Sequence, residues 1–162
     1  FKFILAKRFD VIVEFLLCNG CGVTCLQFEH CTIKCWGRGD GGKLGNGADS
    51  DSSSPVTVSG ITTATDVDVS DLVACALLND NSVTCWGGNG NGQLGNGTTG
   101  GSSNTPVAVS NLTSVSKVAT GFTHACAIRS DNTVWCWGKN AAGQLGDNST
   151  TDRNTPVQVI GF

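Results

Sequence analysis

Three observations predict an all-β chain of three four-stranded units, preceded by a strand-like extension. CysTrpGly recurs at Cys35, Cys85 and Cys136, at intervals of 50 and 51 residues. Within the intervals, short runs such as VTVSG, ATDVDVS, ACALL and SVTCWG show strand patterning, and no window sustains a helical period. Turn-forming residues separate the runs, AsnAspAsn at 79–81 and SerAspAsn at 130–132 among them. Four short strands in about 50 residues is the arithmetic of a propeller blade. The fold class is therefore three propeller-type blades, as an open array or as part of a larger or intermolecular assembly.

The elements follow in order. The opening FKFILAKRFDVIVEFLL, residues 1–17, is apolar but broken by Lys7, Arg8, Asp10 and Glu14, and no small-x-small site follows it. It reads as a strand-like extension rather than a leader. Residues 18–162 form the three-repeat domain, with repeats at about 18–68, 69–119 and 120–162. Ten residues before each CysTrpGly cysteine stands another, at Cys25, Cys75 and Cys126. Each CysTrpGly leads to a Leu-Gly, at Leu44-Gly45, Leu94-Gly95 and Leu145-Gly146. A Pro-Val follows at Pro55-Val56, Pro106-Val107 and Pro156-Val157, and opens the strands VTVSG, VAVSN and VQVIG.

The stretch GFTHACAIRSDNTVWCWGKNAAGQLGDNSTTDRNTPVQVIGF, residues 121–162, resembles a repeat of the regulator of chromosome condensation family. The motifs that carry the resemblance are Gly121-x-x-His124, Trp137-Gly-x-Asn140, Gly143-Gln-Leu-Gly146 and the later Pro156. The match is strong in the second and third repeats and partial in the first. The resemblance implies a β-propeller, commonly of seven blades, and a binding or scaffold module rather than an enzyme. The name-giving nuclear member exchanges nucleotide on a small GTPase, through loops that nothing in this chain matches. The acidic, cysteine-paired repeats look more like secreted bacterial relatives, one of which inhibits β-lactamase by binding it.

Composition narrows the partners. A formal net charge of −3 and scattered Lys and Arg argue against nucleic acid. No run of 18 apolar residues occurs, so no membrane-spanning helix is expected.

Nine cysteines in 162 residues demand an account. Cys25/Cys35, Cys75/Cys85 and Cys126/Cys136 share one spacing and fall on strands joined by a tight turn, where cross-strand disulfides form. Buried free thiols are the alternative. Oxidised pairs place the protein outside the cell or at its surface. Cys18, Cys21 and Cys31 are an odd remainder, so at least one is free or joins another chain. A bridge from Cys18 or Cys21 to Cys31 leaves one thiol spare. The rival is zinc on Cys18, Cys21, His30, Cys31 and Cys35, which the repeat pattern's claim on Cys35 disfavours, and no metal or other cofactor is expected.

Other candidates reduce to structure. Asn96, Asn111 and Asn148 head glycosylation sequons in polar loops. Arg38-Gly39-Asp40 matches an adhesion tripeptide but occupies a variable turn. The acidic run at 48–52 is a solvated loop rather than a calcium site, because its repeat equivalents lack those carboxylates. His124 packs within its blade, and Trp36, Trp86 and Trp137 read as core rather than as a carbohydrate platform. Gly90-x-Gly92-x-x-Gly95 has the spacing of a dinucleotide loop, but only its later two glycines recur and no helix follows.

The leading expectation is an extracellular structural protein, not an enzyme. It self-assembles as filament or ring through its repeat ends and N-terminal segment, with copies of itself as partners. The alternative is a fragment of a secreted propeller that binds another extracellular protein. An intracellular GTPase regulator is the third reading.

Overall fold

Residues 2–4, 14–17 and 22–161 are described by a computed structural model. Their alternating apolar residues pair off into thirteen short strands in three antiparallel sheets. The first sheet runs β1 (Lys2–Ile4), β2 (Glu14–Leu17), β3 (Val23–Gln27), β4 (Ile33–Gly37) and β5 (Ser52–Thr57). The second runs β6 (Ala64–Val69), β7 (Val73–Leu78), β8 (Val83–Gly88) and β9 (Ser102–Ala108). The third runs β10 (Val115–Thr120), β11 (His124–Arg129), β12 (Val134–Gly138) and β13 (Arg153–Gln158). Each strand pairs with its neighbours in sequence, which makes every sheet a meander. The sheets are three propeller-type blades in an open array.

The opening segment joins the first blade. β2 pairs with β3 so that Leu16 lies opposite Cys25, the register in which Asp68 meets Cys75 and Ala119 meets Cys126. β2 thus holds the place of β6 and β10, and β1 adds a fifth strand beyond it. Residues 5–13 of the expected strand donor lie outside the described residues.

The turn between the two central strands is built by side chains. Asp80 accepts the Ser82 N–H and hydroxyl, Asp131 does the same for Thr133, and Asn81 and Asn132 take the left-handed conformation (both φ 65°). In the first blade Cys31 stands at that position and adopts it too (φ 56°).

The proline strands differ from the sequence reading. They begin at Ser52, Ser102 and Arg153, so Pro55, Pro106 and Pro156 sit inside them rather than at their start. Each is the edge strand of its sheet, where a residue without an N–H costs no ladder bond on the open side.

The core lies between sheets. One cluster joins Val23, Cys25, Ile33 and Leu44 of the first blade to Ala74 and Trp86 of the second. Its counterpart joins Val73, Cys75, Val83 and Leu94 to Ala125 and Trp137. A blade therefore buries its disulfide side against the next blade and its tryptophan side against the previous one.

Candidate functional site

The residues that recur with CysTrpGly meet at the joints between blades. CysTrpGly ends the third strand of each blade, so its tryptophan points back at the previous blade. Trp86 donates its indole N–H to the Lys43 carbonyl at 3.0 Å, and Trp137 donates to the Gln93 carbonyl at 2.9 Å. The Leu-Gly glycine makes room for the indole. A Cβ on Gly45 would lie 2.8 Å from Trp86 Nε1, and one on Gly95 would lie 2.8 Å from Trp137 Cδ1, at positions where φ is already +65° and +66°.

An asparagine two residues before the proline closes the joint. Gly47 donates to the Asn104 carbonyl and accepts the Asn104 amide, at 2.8 and 2.9 Å. Gly97 and Asn154 repeat the exchange, with both bonds at 2.9 Å. Gly42 and Gly92 press on this strand, since a Cβ on them would stand 2.4 Å from Asn104 Cα and 2.7 Å from Asn154 Cα. Gly92 and Gly95 of the apparent dinucleotide motif thus pack against the neighbouring blade, whereas a Cβ on Gly90 would meet nothing within 4 Å. The sequence reading missed Asn104 and Asn154, although their recurrence before Thr-Pro was a visible signal.

Each loop is held in shape from within its own blade. Asn89 and Asn140 are buried, and their side-chain oxygens accept the N–H of Leu94 (3.1 Å) and Leu145 (2.9 Å). Asn140 also donates to Asp147 and to the Ser149 carbonyl, each at 3.0 Å. Asp147 gathers the Ser149 hydroxyl at 2.7 Å and Arg153 Nε at 2.9 Å. The Ser149 hydroxyl contributes most to holding the Asp147 carboxyl down at about 2, with Arg153 and Asn140 adding to it against a burial that pushes it up.

The last joint is open. Gln144 is exposed where Gln93 is buried, and Ile128 on β11 is 39% exposed where its counterpart Leu77 is 7% exposed. Beside them a groove of about 380 Å³ runs over β10 and β11, lined by Lys117, Ala119, Cys126, Ile128 and Val134, and by Val118 and Ala127, which are themselves buried in the joint to the second blade.

The expected sites fall as follows. Cys25–Cys35, Cys75–Cys85 and Cys126–Cys136 are disulfides between directly opposed residues of the two central strands, with Cα atoms 4.1, 4.1 and 4.0 Å apart. Cys31 is a free, half-buried thiol, and Cys18 and Cys21, its expected bridging partners, lie outside the described residues. Cys35 is spent in its disulfide, and no cluster of three metal-ligating side chains occurs among the described residues.

Asn111 and Asn148 are exposed with positive φ (56° and 59°). Asn96 is half-buried, and its side-chain oxygen accepts both the N–H and the hydroxyl of Thr98. Arg38 and Asp40 pair with each other at 3.0 Å rather than standing apart. The acidic run is a solvated loop, with Asp49, Ser50 and Asp51 exposed. Asp51 accepts the Gly39 N–H (2.9 Å), and Asp152 does the same for Asn140 (2.7 Å), so the third repeat does keep one of these carboxylates.

His124 is half-buried, which lowers its pKa, and a Cβ on Gly121 would collide with its ring. Trp86 and Trp137 are fully buried, and Trp36 and Trp135 are half-buried.

The model described as Regulator of chromosome condensation (RCC1) repeat matches residues 35–77, 80–128 and 131–162, and a second of the same description matches 64–93 and 115–144. The Ultraviolet-B receptor UVR8 of Arabidopsis thaliana is 31% identical over 131 residues, which is 78% of this chain and 30% of the relative. Among solved structures, human WBSCR16 superposes with a TM-score of 0.80 at 20% identity, over 96% of this chain and 39% of that one. Prp20p from Saccharomyces cerevisiae, described with its binding properties to Gsp1p and histones, gives 0.72 at 15% identity, over 85% and 36%. The chain spans about a third of the length of each.

Proposed function

The chain belongs to the regulator of chromosome condensation (RCC1) repeat family, and from that premise we propose that it is a protein-binding module of an RCC1-type propeller. The repeat match carries the reading, and Ile128, 39% exposed on the third blade where Leu77 of the second is 7% exposed, gives a position at which to test it. Prp20p, a relative in fold, binds proteins, which supports the class of partner.

The reading gives no side chain a catalytic step. Three disulfides support an oxidising compartment, extracellular or cell-surface, in which the sequons at Asn96, Asn111 and Asn148 meet the glycosylation machinery. Self-assembly head to tail is the second reading, favoured by Trp36 at one end of the array and the open Gln144 loop at the other.

Affinity capture from the native source, with disulfides intact, compares wild type with Ile128→Asp. A partner retained by wild type and lost by the variant is expected. Identical partner sets overturn the assignment of this face.

A further inference from the structure

An asparagine followed by glycine loses its side-chain amide readily, because the second residue has no side chain to hinder its nitrogen. That nitrogen gives up its proton to base and bonds to the asparagine Cγ, and Nδ2 leaves as ammonia. Water then opens the succinimide at either carbonyl. One product is Asp, and the other is an isoaspartyl linkage in which the main chain runs through Cγ. Nothing is oxidised or reduced.

Four Asn-Gly pairs lie among the described residues, and they are held in two different ways. Asn89-Gly90 and Asn91-Gly92 are restrained from within their own blade. Asn89 is buried, and its side chain is fixed at both ends, accepting the Leu94 N–H and donating to Thr98. Gly92 is buried, and its N–H donates to the Asn89 carbonyl at 3.1 Å.

Asn46-Gly47 and Asn96-Gly97 stand open to water, with both asparagines half-buried and both glycines exposed. Their side-chain oxygens accept the N–H two residues on, at 3.1 Å in both, so each side chain is already folded along its own main chain. What holds the glycine nitrogen is the next blade. Gly47 donates its N–H to the Asn104 carbonyl at 2.8 Å, and Gly97 donates to the Asn154 carbonyl at 2.9 Å.

We propose that Asn46 and Asn96 are deamidation sites gated by the joints between blades. The closed joint withholds the glycine nitrogen, and local opening releases it to attack. The two products differ in consequence. Asp is tolerated at this position, since Asp147 stands there in the third blade and accepts the N–H and hydroxyl of Ser149 as Asn96 accepts those of Thr98. The isoaspartyl product adds a carbon to the main chain, so Gly97 no longer meets both groups of Asn154. A joint that has opened is thereby marked, whatever the chain binds.

The test ages the disulfide-intact full chain at mildly alkaline pH and follows each Asn-Gly pair by peptide mapping, with isoaspartyl peptides resolved by chromatography. The reduced chain in denaturant supplies the ungated rates. Asn46 and Asn96 should react about tenfold more slowly, or slower still, in the folded chain. The slowing should match the protection of the Gly47 and Gly97 amides against hydrogen exchange, which the same bonds control. Asn104→Ala removes the amide half of the first joint and should speed Asn46 roughly fivefold, the effect of one lost hydrogen bond on a local opening equilibrium, with Asn96 unchanged. Asn154→Ala should do the reverse. A protected glycine amide beside an asparagine that reacts at its unfolded rate overturns the proposal. So do rates that rise together in either variant, or that ignore both.

Discussion

The indole N–H of Trp137 donates to the backbone carbonyl of Gln93, two residues before the glycine on which the same ring lies. One side chain thus reads both the hydrogen bond and the missing Cβ of the neighbouring blade. Trp86 does the same at Lys43 and Gly45.

Replacing Trp137 with Phe keeps most of the ring but leaves the Gln93 carbonyl buried without its partner. The loss should be about 1–3 kcal/mol for the orphaned group, with a further contribution from the lost volume. Trp36→Phe, at a tryptophan with no preceding blade among the described residues, should cost less. Denaturant unfolding of the two variants checks the difference.

Gly95→Ala and Gly90→Ala separate a joint glycine from an incidental one. A Cβ on Gly95 would stand 2.8 Å from the Trp137 ring at φ +66°, whereas a Cβ on Gly90 meets nothing within 4 Å. The first substitution should destabilise by about 2–4 kcal/mol, from left-handed strain plus overpacking. Gly90→Ala should be close to neutral. A nucleotide loop would instead need Gly90, and thermal unfolding of both variants decides.

Each disulfide closes a loop between cysteines ten apart. Removing Cys75–Cys85 by a double Ser substitution should cost about 2–3 kcal/mol by the chain-entropy argument, and more where the hydroxyls are buried in the core. Unfolding under oxidising conditions, beside the same measurement in reductant, provides the check.

Asp147 makes the third loop acid-sensitive. Its carboxyl is held at about 2 in the folded chain against an ordinary value of 3.8, so the unfolded state takes up its proton first. The stabilisation is present above pH ~4 and is lost as pH falls through about 2. Asp147→Asn should be less stable than wild type at neutral pH, with the gap narrowing between those limits. A gap that stays constant with pH would remove Asp147 from this role.

Much of the blade was legible in the chain itself. The spacing of Cys75 and Cys85 placed them opposite each other because strand pairing around a tight turn is local and its register follows from the turn. Asn81 and Asn132 announced that turn, since few residues with a side chain accept positive φ. Less legible were the roles of Gly92, Asn104 and Asp51. Each answers to a group in another blade or across a long loop, and periodicity within one blade carries no trace of that.

Sequence by itself determined the repeat, the all-β class, the cysteine pairing and the family, because these follow from short-range alternation and from a motif repeated three times. Tertiary structure alone decided that the tryptophan reaches backward to a carbonyl and that proline sits inside an edge strand. Those depend on which face of a blade meets which neighbour. That choice is made by packing between sheets, where residues fifty apart in the chain come into contact.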